Sequence, residues 1–231
     1  EGHVYSPQPR LIERSAELLG VSAELIPAAL ERLQAQNQVR QVQVPQPAGE
    51  QEPTGVKEAA APYGLPAVYL APFYFSEVGV AERLSQLAAA IPGRLSSLPP
   101  AFIQLDAGLS PEQQEAVRRV LSHPLSILTG GPGTGKTTTL KALIAAVEAG
   151  RKTYALASPT GRAAKRLSQA TGRQASTIHR MLGFKPGEGF KYNAENPLDV
   201  DLLVVDEASM LDLLLAHHLL KALRPGTHLL L

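Results

Sequence analysis

Cysteine is absent from the chain, which excludes disulfides and thiolate-held zinc and fits a reducing compartment. No apolar run approaches the ~20 residues a membrane-spanning helix needs, and no signal peptide opens the chain. A cytoplasmic protein is expected. Residue 1 is Glu1 rather than an initiator, and the chain stops within the apolar run His228-Leu229-Leu230-Leu231. Both features suggest a piece of a longer protein, with sequence missing downstream. Acid is locally scarce as well. Between Glu148 and Glu188 there is no Asp or Glu, while Arg151, Lys152, Arg162, Lys165, Arg166, Arg173, Arg180 and Lys185 all fall there. The net charge of +1 conceals this split: seven Lys/Arg against eleven Asp/Glu up to Asp106, fifteen against ten afterwards. Such asymmetry points to a polyanionic partner, although a solvated basic face explains it equally well.

What the chain does have is length and apolar content: 231 residues, 44% hydrophobic, enough for one or two domains with real cores. Its most specific feature is Gly130-Gly131-Pro132-Gly133-Thr134-Gly135-Lys136-Thr137, a full match to the G-x-x-x-x-G-K-[ST] loop that wraps nucleotide triphosphates. Glycines let successive backbone N–H groups turn inward at phosphate oxygens, and the following helix adds its own N-terminal N–H groups. Gly131, Pro132, Gly133, Thr134, Gly135, Lys136, Thr137 and Thr138 are therefore the expected ATP contacts. Lys136 supplies a point charge to the β/γ-phosphates and the Thr137 hydroxyl a ligand to Mg²⁺. The context agrees with the motif. An apolar run, Leu125 to Thr129, precedes the loop, and Leu140, Leu143, Ile144 and Val147 recur at helical spacing up to Gly150.

A second signal is Leu202-Leu203-Val204-Val205-Asp206-Glu207, a short apolar strand delivering two acids to a sheet edge. Asp206 suits Mg²⁺, an oxygen-seeking ion that keeps part of its water shell. Glu207 suits the base or orienter of the water attacking the γ-phosphate. Upstream, Ser110 and Pro111 are good choices for the start of a helix. Gln113 on that helix carries the donor–acceptor face needed to read adenine. Within the acid-free stretch, Ser158-Pro159-Thr160-Gly161-Arg162 and Ser176-Thr177-Ile178-His179-Arg180 offer hydroxyls, helix starts and cations, the usual contacts to a nucleic-acid backbone. Ser158, Pro159, Thr160, Arg162, Thr177, His179 and Arg180 are the candidate DNA contacts. Either loop would serve equally as an ordinary helix cap.

Along the chain, residues 1–75 read as a small, mainly helical, winged-helix-like segment. Leu11, Ile12, Leu18 and Leu19 line one helix ending at Gly20; Ile26, Ala29, Leu30 and Leu33 line another starting near Pro27. Val39 to Val44 and Ala67 to Leu70 look β-like and flank a Pro/Glu/Gly/Ala-rich insert, 45–62. Residues 76–105 read as a helix, with Ser76 as its cap, and a linker. From 106 to 231, strands at Leu125–Thr129, Thr153–Ala157, Leu202–Val205 and His228–Leu231 alternate with helices, which argues a parallel α/β sheet with ligand loops at the strands' carboxyl ends.

These blocks together resemble the first half of a superfamily 1 helicase of the RecD-like 5′→3′ branch. Leu-Ser-Pro-Glu-Gln-Gln resembles its Q motif, the glycine-rich loop motif I, and Ser-Pro-Thr-Gly-Arg-Ala-Ala motif Ia. Ser-Thr-Ile-His-Arg resembles motif Ib, and Val-Val-Asp-Glu-Ala-Ser-Met motif II. The resemblance implies a RecA-like P-loop ATPase lobe, ATP and Mg²⁺ as cofactors, and unwinding of DNA in recombination or repair. Single-stranded DNA and duplex junctions are the implied partners, and a monomer is expected. The family's later motifs, with its arginine fingers, would follow Leu231, so the chain as given is expected to bind ATP but hydrolyse it poorly. The helicase part of a conjugative relaxase, or a non-translocating ATP-dependent DNA-binding switch, remain alternatives.

Overall fold

The computed structural model describes residues 3–44, 64–98, 108–131 and 133–231. The insert at 45–62, Asp106 at the expected domain boundary and Pro132 of the glycine-rich loop lie outside them. The chain divides into two compact units, Glu1–Val78 and Gly79–Leu231.

In the first unit, β1 (Tyr5–Pro7) leads into α1 (Gln8–Leu19), α2 (Ile26–Ala35), β2 (Val39–Val44) and β3 (Leu65–Leu70). The strands form an antiparallel sheet in the order β1-β3-β2. Helix α1 ends where Gly20 takes a left-handed conformation, φ +65°, open to glycine without a Cβ penalty. Pro27 sits in the first turn of α2, where its missing N–H costs nothing. The apolar faces of both helices close on Ile26, Leu30, Val39 and Val68. Strand β1 lies outside the expected pattern; three residues are too few for alternation to show.

Helix α3 (Ala71–Ala89) begins directly after β3. The expected cap at Ser76 is thereby corrected. Ser76 lies inside the helix and is buried, because the chain turns from strand to helix without a loop and the Ala71 N–H donates to Gln38 O at 2.9 Å.

The second unit continues with α4 (Pro111–Ser122), β4 (Leu125–Ser126), α5 (Lys136–Ala149), β5 (Tyr154–Ser158), α6 (Gly161–Thr171), β6 (Ala175–Thr177) and α7 (Ile178–Met181). A two-stranded hairpin, β7 (Phe184–Lys185) and β8 (Gly189–Phe190), precedes β9 (Leu202–Val205), α8 (Leu213–Lys221) and β10 (His228–Leu230). Five strands form one parallel sheet in the order β4-β10-β9-β5-β6. Its core shows why β9 is apolar throughout. Leu202 and Val204 pack into one cluster with Val117, Leu143 and Val147, whereas Leu203 and Val205 pack into another with Leu215 and Leu219. Successive residues of a strand face opposite ways, and helices cover both faces. This is the RecA-like α/β architecture.

Strand β4 is shorter than the expected Leu125–Thr129. Among the described residues it is an edge strand paired only with the three-residue β10, and Ile127 is already 75% exposed as the chain leaves for the glycine-rich loop. The buried His228 ties β10 to α4 through Nδ1, 2.8 Å from Val120 O.

Candidate nucleotide site and nucleic-acid face

The glycine-rich loop joins the carboxyl end of β4 to the start of α5. Gly133 and Gly135 adopt φ of +77° and +83°, which side chains other than glycine's rarely tolerate. The Thr134 hydroxyl donates to Gly131 O at 2.9 Å, and Lys136 Nζ donates to Gly130 O and, at 3.3 Å, to Gly131 O. The lysine thus curls back over its own loop while remaining exposed. Its ammonium, on a flexible stem, can exchange those carbonyls for phosphate oxygens. Thr138 is exposed one residue further along, and Thr139 is buried, its hydroxyl donating to Gly135 O at 3.2 Å.

Across the sheet, β9 is followed directly by Asp206, whose N–H donates to Ala157 O at 3.0 Å. The next residue, Glu207, has φ +56°, the left-handed region that a non-glycine residue enters at a cost of about 1–3 kcal/mol. Both acids are exposed. Together with Lys136 and Thr137 they line one cavity of about 280 Å³. The Thr137 hydroxyl and Asp206 carboxylate on its wall are hard oxygen donors, a fit for Mg²⁺ shared with phosphates and water. Among the described residues no cluster of three or more His, Cys, Asp or Glu makes a self-sufficient metal site.

Gln113 reaches the same neighbourhood from α4. Its Oε1 accepts from Ser110 N–H at 3.0 Å, while Ser110 Oγ accepts from Gln113 N–H at 3.3 Å, a reciprocal cap. The amide nitrogen lies against Gly135, where a β-carbon would collide with it. Position 113 is therefore both a helix-capping residue and a wall of the glycine-rich loop.

The two hydroxyl-bearing loops meet at the same end of the sheet. Strands β5 and β6 are parallel neighbours with Ser158 opposite Thr177. Thr160 caps α6 by accepting from Ala163 N–H, and Thr177 caps α7 by accepting from Arg180 N–H, each at 3.2 Å. Arg162, His179 and Arg180 are exposed beside them, and Pro159 is half-buried. Ser158 departs from the expectation. It is 0% exposed and its hydroxyl meets no partner among the described residues, so it presents nothing to a surface phosphate. Its place as the last residue of a central strand explains the burial.

The acid-free stretch is also less free than its composition suggests. Arg173 is engaged by Glu148 through two hydrogen bonds of 2.8 Å, and the Tyr154 hydroxyl donates to the same carboxylate at 2.6 Å. The Arg173 and Tyr154 hydrogen bonds hold the Glu148 carboxyl down at about 2. An aromatic group also escaped the sequence reading. The His179 ring lies 5.5 Å from Phe184 and 5.8 Å from Phe190, and Phe190 lies 4.5 Å from His218. The available signal was two phenylalanines flanking the Pro186-Gly187 turn. Burial, followed by the charge of Lys221, keeps His218 below its ordinary range.

Comparison with known proteins agrees with this geometry. The AAA domain family matches residues 113–231. The ATP-dependent RecD2 DNA helicase of Deinococcus radiodurans is 44% identical over 124 residues, 54% of this chain and 17% of that protein. The RecBCD enzyme subunit RecD of Mycolicibacterium smegmatis is 39% identical over 189 residues, 71% of this chain and 34% of that one. Its counterpart in Mycobacterium tuberculosis is 41% identical over 143 residues, 52% and 25% respectively. The chain thus spans about a third or less of these curated relatives. The fold and the glycine-rich loop define a P-loop nucleotide-binding domain. The chain belongs to the AAA domain family, and it is similar to proteins named RecD and RecD2.

Proposed function

We propose that this chain is the N-terminal part of an ATP-driven DNA helicase motor that moves 5′→3′ on single-stranded DNA and opens duplex junctions in recombination or repair, as a cytoplasmic monomer. Residues 106–231 serve as its first ATPase lobe, and 1–75 and 76–105 as the preceding segment and its connection. The observation that carries this reading is one cavity lined by Lys136, Thr137, Asp206 and Glu207, in a domain whose relatives include proteins named as helicases.

In this reading the backbone N–H groups of Gly131 and of Gly133 to Thr138 cradle the phosphates, and Gln113 faces the adenine end. Thr137 and Asp206 hold Mg²⁺, which when bound neutralises charge on the phosphate oxygens. Lys136 stabilises the charge developing on the transferred phosphoryl group, and Glu207 orients the attacking water. Thr160, Arg162, Thr177, His179 and Arg180 hold the DNA backbone without reading its bases.

The test is nucleotide turnover and strand displacement by the full-length protein. Lys136→Ala lowers kcat by about 10²–10³, the usual consequence of removing one such electrostatic contact, with unchanged thermal melting. Glu207→Gln still binds Mg²⁺-ATP in an equilibrium titration, whereas Asp206→Asn loses the Mg²⁺-dependent part of the affinity. Substrates with a 5′ tail are unwound in preference to those with a 3′ tail. Full turnover by the Lys136 variant, or equal loss of binding in both acid variants, refutes the assignment.

A further inference from the structure

Beside the nucleotide cavity lies a second cavity of about 240 Å³, lined by Thr160, Arg162, Ala163, Arg166, Glu207 and Met210. Two side chains, Arg166 and Glu207, line both cavities. Arg166 lies four residues after Arg162 on α6, so the two cations stand one turn apart on one helix face. Among the described residues Arg166 joins no ion pair, in contrast to Arg173 just beyond the end of the same helix, which is held by Glu148. Glu207, across the groove, sits in the left-handed conformation that starts the turn Ala208–Met210. A non-glycine residue stays in this sparsely populated conformation only because its surroundings hold it there, and such residues cluster at active sites and switch regions.

From this arrangement we propose that Arg166 is a positioning residue that couples the two cavities. A phosphodiester seated between Thr160, Arg162 and Arg166 sets the place of the Arg166 guanidinium, and Arg166 in turn sets Glu207 toward the nucleotide. The proposal rests on the reading that the larger cavity holds ATP and that the face at α6 holds nucleic acid. It adds a specific route between them. The groove chemistry suits this role: α6 and its cap bring a hydroxyl and two guanidiniums, and the turn after β9 brings a single carboxylate and the exposed Met210. A guanidinium can contact a phosphate and a carboxylate at once because its donors lie in a rigid fork.

The test is the ratio of kcat with saturating oligothymidine to kcat without it, measured in the full-length protein. Arg166→Gln lowers this ratio about tenfold, within the usual range of coupling between two sites, and Arg166→Lys recovers part of it. Thermal melting of each variant is recorded alongside, because a merely structural role moves melting and both rates together and leaves the ratio alone. A ratio in Arg166→Gln equal to the parent's overturns the proposal while leaving the functional reading intact. So does loss of both rates in equal proportion. A parent whose turnover DNA does not raise overturns both. As a contrast, Arg162→Gln raises the oligothymidine concentration needed for half-stimulation and keeps the ratio at saturation.

Discussion

Replacing Gly135 by alanine should test the join between α4 and the glycine-rich loop. The new methyl group meets two obstacles. The backbone at Gly135 has φ +83°, and a left-handed conformation costs an L-residue with a Cβ about 1–2 kcal/mol. The β-carbon also collides with Gln113 Nε2, so the amide must swing away and its Oε1 releases the Ser110 N–H. Losing that hydrogen bond, the half of the reciprocal cap made by the Gln113 side chain, costs about 1 kcal/mol. Gly135→Ala therefore destabilises the protein by roughly 2–3 kcal/mol, the sum of the strain and the lost hydrogen bond. Gln113→Ala alone loses that hydrogen bond, keeps the Ser110 Oγ bond to the backbone N–H of residue 113, creates no strain, and costs about 1 kcal/mol. In the double variant that hydrogen bond is already gone and the collision is relieved. It should be no less stable than Gly135→Ala alone, leaving about 1 kcal/mol of non-additivity, well above the 0.3–0.5 kcal/mol scatter of independent sites. Urea unfolding of the four proteins measures the cycle, with titration of labelled ATP in parallel. Strict additivity would show that Gln113 does not lean on the loop and would refute the reasoning.

Two further outcomes follow from the charged groups. Arg162→Ala combined with Arg180→Ala should weaken oligothymidine binding and flatten its salt dependence by up to about one unit of slope for each lost contact, with ATP binding spared; parent-like anisotropy titrations at every salt concentration would leave only a solvated face. The Glu148 carboxyl, held at about 2 by Arg173 and Tyr154, binds its proton less readily in the folded chain than its ordinary 4.5 implies. Its contribution is fully present above pH 4.5 and is lost as pH falls through about 2. Glu148→Gln should therefore lower the urea midpoint near pH 6, with the gap from the parent closing toward pH 2; a gap constant with pH would mean that the charge of Glu148 is idle.

Much of this molecule is legible without coordinates, wherever the determining chemistry lies within a few residues. The motif Gly130 to Thr137 leads from a strand into the first turn of a helix because glycine spacing, the apolar run before it and the 3.6-residue periodicity after it are all local. The same holds for the Ser110 cap, for Gly20 closing α1 and for Pro27 opening α2. The apolar β9 followed by two acids is equally plain, since a strand buried on both faces has no polar position to spare. Length is the limit: β1, β4 and the β7–β8 hairpin are too short for a period to declare itself. Tertiary structure alone decides which of several chemically identical groups is available. Arg173 and Arg166 are the same residue type on the same acid-free stretch, yet one is bound by Glu148, 25 residues away in sequence, and the other faces two cavities. Ser158 and Thr160 are both loop hydroxyls two residues apart, but the first ends a central strand inside the core and the second starts a helix at the surface. Gln113 meets Gly135, and β10 stands between β4 and β9, only because the sheet orders its strands differently from the chain. Residue type sets what a side chain can do; packing sets which partner consumes its donors and charge first.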